Sequence, residues 1–413
     1  MKDEMGFGFL LYSRIFRSVA IIFMTLASPL YLSLAGFRVQ EIGLVYLGLM
    51  LFNSAFSLLI GALGDRMGYR RMLIVAEVPA LAGAAIICLS GNNLAIAVAV
   101  IVGGIGGLAG GIRGAFSPGL TALTARNYTD DKSRITKLSM LTMVSSFASV
   151  GGALLLVAQS YVAVSIGNAV MAYRLLFGFS AVLMLLSMAS VALVKEAERP
   201  VKSTRIMRKD SFRYMMRIVV VRIINGAGLG LAMPLLPLVF SIAFGLSPSE
   251  SAFYIGLVYI PSYLATGLGA RLAGGRRAEK DSVSIAFQTR AASGILMAAM
   301  GAVVLAGHAY RNYGIELLGL VTVLYSARAL VAGMGSPAVT ALNVKGIHNE
   351  DYGTASSVQG VAGSLAQTST GASGYLMDYF LPLPLFLGGL LQVIGGIAYL
   401  GILGRRGRRE KKA

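Results

Sequence analysis

Five arginines, Arg17, Arg113, Arg222, Arg290 and Arg328, stand inside long apolar stretches of the sequence, and Glu77 is the one acid similarly placed. An ionised group at the centre of a bilayer costs about 2.5–3.5 kcal/mol, so each must face a partner or a wet cavity. Five cations against one anion cannot all pair internally. A guanidinium left over offers a planar fork of donors that matches carboxylate, phosphate or sulfate, and an anionic ligand is the chemistry these residues imply. Asn225, Tyr325, Ser326, Gln359 and Gln367 are further polar residues in such stretches. Each can orient a ligand or hydrogen-bond one helix to another.

Other chemistries find no support. His308 and His348 are too few and too far apart for a metal site, and Cys88 is a lone cysteine within an apolar run, expected as a small core residue. GGIGGLAGG at 103–111 contains a Gly-x-Gly-x-x-Ala pattern, but no strand precedes it, and close helix packing explains it. GAGLG at 226–230 is read the same way. Phosphate-loop and hydrolase motifs are absent. Neither an enzyme nor a cofactor is expected.

The elements that must position these residues are membrane helices. The 413 residues are 56% hydrophobic and 13% charged, a balance suited to lipid. Twelve spans of about 20 residues would use about 240 of them. The apolar stretches fall near 15–36, 42–63, 72–90, 94–120, 138–158, 173–194, 214–243, 251–270, 282–306, 314–342, 355–377 and 382–404. The first reads as a retained helix, not a cleaved signal. The net charge of +18 does not point to nucleic acid, because the basic residues alternate with the spans. With both termini inside, 28 of the 36 fall on inner segments and only Arg38, Arg174 and Arg311 outside. That bias predicts a multi-pass protein of the cell membrane with cytoplasmic termini, and the basic tail favours anionic lipid.

The chain repeats itself. IGLVY occurs at 42–46 and 255–259, SPGLTAL at 117–123 returns as SPAVTAL at 336–342, and Arg17 and Arg222 each stand twelve residues before a proline, Pro29 and Pro234. All matches keep their order at equivalent places. The expected organisation is a six-helix bundle over 1–194, a basic cytoplasmic linker over 195–213, a second bundle over 214–404 and a basic tail over 405–413.

After the second span the sequence reads Gly61-Ala-Leu-Gly-Asp65-Arg66-Met-Gly68-Tyr-Arg70-Arg71, which resembles the loop signature of the major facilitator superfamily. The second copy at 267–277 keeps Gly267, Gly274, Arg276 and Arg277 but has Arg271 in place of the acid. The resemblance implies an all-α fold of two pseudo-symmetric six-helix bundles. It implies that helices 1, 4, 7 and 10 line a central cavity and that 3, 6, 9 and 12 lie outermost. Asp65 would then sit at the amino end of helix 11 near Thr354, while Arg66, Arg70 and Arg71 either bridge to inner acids such as Asp130 or Asp131 or only fix topology. Arg113 is similar to a helix 4 arginine that serves proton coupling in many members. Helix 5 has Gly151 and Gly152 but lacks the Gly-Pro signature of the drug-proton antiporters.

Secondary transport by rocker-switch alternating access follows as the expectation, with a small anionic solute carried by proton symport or anion exchange. The alternatives are export of hydrophobic or cationic compounds, and a receptor-like member that binds without transport. The substrate-binding candidates are Arg113, Arg328, Arg17, Arg222, Asn225, Tyr325, Gln359 and Gln367. Arg17 and Arg222 lie near inner ends where their stems can instead snorkel; Arg290 and Glu77 are expected in structural ion pairs or against lipid. Protons and membrane lipids are the further partners, and the protein is expected to be a monomer. Prolines 29, 234 and 237 are expected to bend helices 1 and 7.

Overall fold

The computed structural model describes residues 5–104, 116–128, 131–197, 207–272, 282–310, 313–344, 346–348 and 351–403, all in helices and their connections without a strand among them. Lipid offers no hydrogen bonds, so an apolar chain must satisfy its backbone internally, and helices do that. The first half comprises α1 (Phe7–Leu34), α2 (Val39–Met67), α3 (Tyr69–Leu89), α4 (Asn93–Gly103), α5 (Phe116–Asn127), α6 (Asp131–Ile166) and α7 (Ala169–Ala192). The second comprises α8 (Lys209–Ala232), α9 (Leu236–Ala243), α10 (Pro248–Leu272), α11 (Ser282–Ala309), α12 (Gly314–Val344), α13 (Tyr352–Ala366), α14 (Thr370–Tyr379) and α15 (Leu383–Ala398). Among the described residues ten helical stretches are long and apolar enough to cross a membrane. The other two of the twelve expected spans are span 4, built from α4 and α5 with 105–115 outside the described residues, and span 11, built from α13 and α14.

Two starts differ from expectation. Helix α1 begins at Phe7, not near 15, and α8 at Lys209, not near 214. Hydropathy averaging trims a span where its first turns carry charge; those turns are helical, with Phe7 and Leu10 buried in α1 and Lys209, Asp210, Phe212 and Arg213 exposed in α8. Span 7 is interrupted between α8 and α9, where Pro234 has no N–H to give the Gly230 carbonyl. The Thr370 hydroxyl donates to that carbonyl instead at 2.7 Å, and the Ser373 hydroxyl donates to Leu231 O at 2.7 Å. Span 11 thus restores the bonds that proline removes from span 7. Helix α1, by contrast, continues through Pro29.

The packing repeats as the sequence does. In the first half α1 lies on α6 and α7, and α3 on α7 and α4; in the second, α8 lies on α13 and α15, and α11 on α15 and α12. The halves meet along α6 and α10, along α2 with α13 and α14, and where α1 touches α9 and α10. Spans 1 and 7 are central: 78% of an 18-residue apolar window in each is buried, against 33–44% in the other eight membrane-length stretches.

GAGLG at 226–230 is a packing surface, as expected. A Cβ at Gly226 would stand 2.6 Å from the Gly363 carbonyl oxygen and 2.9 Å from Ala366 Cβ. Gly226→Ala is therefore expected to push span 7 from span 11 at a cost of about 1–3 kcal/mol. Gly319→Ala, where a Cβ meets open space, should leave the thermal midpoint of the detergent-solubilised protein unchanged. Equal midpoints for both variants would refute the close approach.

Candidate functional site

In the first half, α1 turns two arginines and two serines inward. Arg14, Arg17, Ser13 and Ser18 are all buried. The Arg14 Nη2 donates to Ser145 Oγ on α6 at 2.9 Å, and Ser18 shares that hydroxyl at 2.9 Å. Arg17 Nη1 lies 3.8 Å from Glu77 Oε1 on α3, and the Ser187 hydroxyl of α7 donates to the same oxygen at 2.7 Å. The Phe116 ring of α5 faces the Arg17 guanidinium, 4.3 Å from its Cζ to the ring centroid, a cation–π contact that compensates partly for lost water. Glu77 is fully buried against the central helix α1. The ion-pair alternative for Glu77 is therefore the one realised. Arg14, expected among the flanking basic residues, stands two turns inside the helix at 0% exposure, because α1 starts early. Arg17, at 4% exposure, faces Glu77 instead of snorkelling.

The second half holds the other arginines on three different spans. Arg328 on α12 is 8% exposed, with its Cζ 5.9 Å from the Tyr325 ring centroid. Arg222 on α8 packs its stem within reach of Gly363 on α13. Arg290 on α11 donates from Nη1 to Gln392 Oε1 on α15 at 3.4 Å. The Nε atoms of Arg222 and Arg328 are buried without an acceptor. Both ion pairs among the described residues, Arg17 with Glu77 and Arg126 with Glu196, belong to the first half. The second half is thus a basic interior without a carboxylate partner among those residues.

Between the halves lies a small cleft of about 10 Å³, lined by Thr25 and Leu26 of α1, Met233, Pro234 and Pro237 of span 7, Tyr259 and Tyr263 of α10, and Tyr325. The Tyr259 ring lies 4.9 Å from that of Tyr325 and 5.8 Å from that of Tyr263. Tyr325 thus belongs to the cleft and, one turn away on the same helix, stands next to Arg328. Tyr259 and Tyr263 were not singled out from sequence, although Tyr259 ends the repeated pentapeptide. Its mate Tyr46 instead bonds Ser28 at 2.7 Å.

The remaining candidates sit apart from the cleft. The Asn225 amide donates to Val221 O of its own helix and packs against Gly395. Gln359 Nε2 donates to Asn343 O, and Gln367 Nε2 to Gly363 O. Arg113 lies outside the described residues, and so does Asp130; nothing is described of the side chains of Asp65, Arg66 and Asp131 or of the surroundings of Gly61.

At the face where α1 begins, Gly68 closes α2 at φ 98°, a left-handed turn suited to glycine. This aims the next two backbone N–H groups at one carboxylate: Tyr69 donates to Glu196 Oε1 and Arg70 to Glu196 Oε2, each at 2.9 Å. Arg126 Nη1 donates to Glu196 Oε1 at 2.6 Å, and Arg70 Nη1 to Val194 O at 3.2 Å, while Arg71 is exposed. Glu196, unnoticed in the linker sequence, is the acid that Arg70 meets. Burial alone would raise its carboxyl, but the N–H groups of Arg70 and Tyr69 and the Arg126 guanidinium outweigh that and hold it below the usual value. A depressed carboxylate contributes stability above its unfolded value near 4.3, lost as pH falls through the lower folded value. Glu196→Gln is expected to lower the melting temperature at pH 7 and to flatten its decline on acidification below about pH 4. Parallel wild-type and variant curves would contradict this.

A family model described as Major Facilitator Superfamily matches residues 10–371. No curated protein matches the chain in sequence. A solved chain from work on substrate recognition in proton dependent oligopeptide transporters superposes with a TM-score of 0.69 at 15% identity, over 98% of this chain and 99% of that one. At that identity the likeness is one of fold.

Proposed function

The chain belongs to the major facilitator superfamily, and we propose from that premise that it is a secondary transporter carrying a small anion between its halves by rocker-switch alternating access. The observation that carries the anionic reading is the pair of buried Nε donors on Arg222 and Arg328, with no carboxylate facing them among the described residues. Buried charges are retained where they meet an opposite charge, and a substrate that enters and leaves supplies one intermittently. Arg328 is the better placed, next to the tyrosines of the inter-half cleft. Proton symport and anion exchange are the two coupling modes. The likeness of fold to a chain from work on proton dependent transporters is consistent with the first, and the excess of arginine favours the second. Orientation follows the charge bias, with cytoplasmic termini in the cell membrane, and each chain holds its own cleft and works as a monomer.

The tyrosine lining favours one other occupant, a hydrophobic cation held on aromatic faces. Purified protein in liposomes separates the two. Uptake of inorganic and organic anions, with tetraphenylphosphonium excluded, is expected; uptake of the cation alone would replace the anionic reading with export of cationic compounds. Ligand binding without uptake would point to a receptor-like member.

A further inference from the structure

Among the acids whose side chains are described, Glu77 alone is buried, and we infer that it is the site where a transported proton binds. The inference rests on the transport reading above and selects proton symport from its two coupling modes. Glu77 has no solvent exposure and lies between α3 and the central helix α1, a place too closed for a solute but not for a proton. Its Oε1 accepts one hydrogen bond, from the Ser187 hydroxyl at 2.7 Å, and faces Arg17 Nη1 at 3.8 Å, beyond hydrogen-bonding range. Its Oε2 is buried and accepts no hydrogen bond among the described residues. An ionised carboxylate has about four acceptor positions, so the charge on Glu77 is poorly solvated. Glu196 shows the contrast within the same molecule. Three donors at 2.6–2.9 Å reach its two oxygens and hold it ionised.

A hydroxyl relay leads to the carboxylate. Ser187 Oγ lies 2.9 Å from Ser13 Oγ, and a hydroxyl has one proton to give. While Ser187 donates to Glu77, it must therefore accept from Ser13; the Ser13 carbonyl, at 3.2 Å, is the more distant acceptor for the Ser187 proton. The relay begins about 9 Å along α1 from its first residue, Phe7. The charged groups beside Glu77 are Arg17 and, one turn before it, Arg14, whose Cζ atoms lie 4.3 and 5.6 Å from the same Phe116 ring centroid. The other elements packed on α3 bring no described charge to it. On α7, Arg174 donates to Cys88 O, on α5, Arg126 donates to Glu196, and on α2, Glu41 accepts from Arg38 N. Helix α4 has no titratable residue, and Arg70 and Arg71 stand in the first turn of α3 itself. Binding forms one O–H bond with a proton taken from water, and release returns it to water, with nothing oxidised or reduced. The proton cancels one negative charge in a low-dielectric interior, and an accompanying anion restores it, so the two are favoured to cross together.

The test uses the full chain in liposomes and labelled succinate under an inward-directed proton gradient. Wild type is expected to accumulate label above equilibrium and to lose the excess when a protonophore is added. In Glu77→Gln, gradient-driven accumulation should fall severalfold, to the level without a gradient, while counterflow falls far less; Glu77→Asp should keep most of the accumulation. A packing role alone would lower accumulation and counterflow together. That parallel loss, an accumulation unchanged in Glu77→Gln, or wild-type uptake indifferent to the gradient overturns the proton site and leaves the anionic reading standing. Wild type decides the matter if Glu77→Gln does not fold. Dicyclohexylcarbodiimide, which modifies protonated carboxyl groups in apolar surroundings, is expected to modify Glu77 in peptide mass spectra, faster as pH falls, and a Glu77 left unmodified at every pH overturns the site. No uptake of any anion by wild type overturns the anionic reading itself.

Discussion

Arg328→Gln is expected to lower anion uptake by roughly 30-fold to several thousandfold, the range that removal of a desolvated charged partner at 2–5 kcal/mol implies. The side chain is 8% exposed, its Nε has no acceptor, and it adjoins the tyrosines lining the cleft between the halves. Glutamine keeps hydrogen-bonding capacity and removes the charge, so fold and cleft should persist while the attraction is lost. Arg328→Lys keeps a charge but not the planar fork, and an intermediate rate is expected. Initial rates in liposomes, normalised to reconstituted protein, measure both. Wild-type rates in Arg328→Gln would remove this residue from substrate contact.

The largest effect on stability is expected at Glu77. Its Oε1 faces Arg17 and accepts from Ser187, inside a site with no solvent exposure. Breaking a buried pair by removing one partner typically costs about 3–5 kcal/mol, because a charge is left in low dielectric. Glu77→Leu should therefore unfold well below the wild-type midpoint in a detergent denaturation series. Arg17→Met combined with Glu77→Leu should recover part of the loss, since neither charge then remains. A single-variant cost below about 1 kcal/mol, or strictly additive losses, would mean that the pair is not coupled.

Much of the fold was legible because bilayer thickness fixes span length and because the chain carries its own repeat. IGLVY and SPxxTAL set a register that the helix packing follows. The directions of side chains were less legible. A helix apolar on all sides gives no amphipathic stripe from which to read its facing. Glu77, on a helix the resemblance places outermost, was therefore open between an ion pair and lipid, and its partner Arg17 was not readable from sequence. Arg14 was misplaced for a related reason, since a window average treats an arginine near a span's start as its flank. Glu196 escaped notice because its partners Tyr69, Arg70 and Arg126 are distant in sequence and meet it only through tertiary packing of loop ends. Of the loop signature at 61–71, the turn at Gly68 was readable from residue type alone.

The central claim, that an anion occupies the second-half arginines and is carried across as the halves rock, is tested most directly by counterflow. Liposomes containing the full chain and loaded with unlabelled succinate are diluted into a trace of labelled succinate. Transient accumulation of label above its equilibrium level, absent in protein-free liposomes and strongly reduced in Arg328→Gln, is the predicted result. Label that never rises above the protein-free control, while tetraphenylphosphonium exchanges freely, would contradict it.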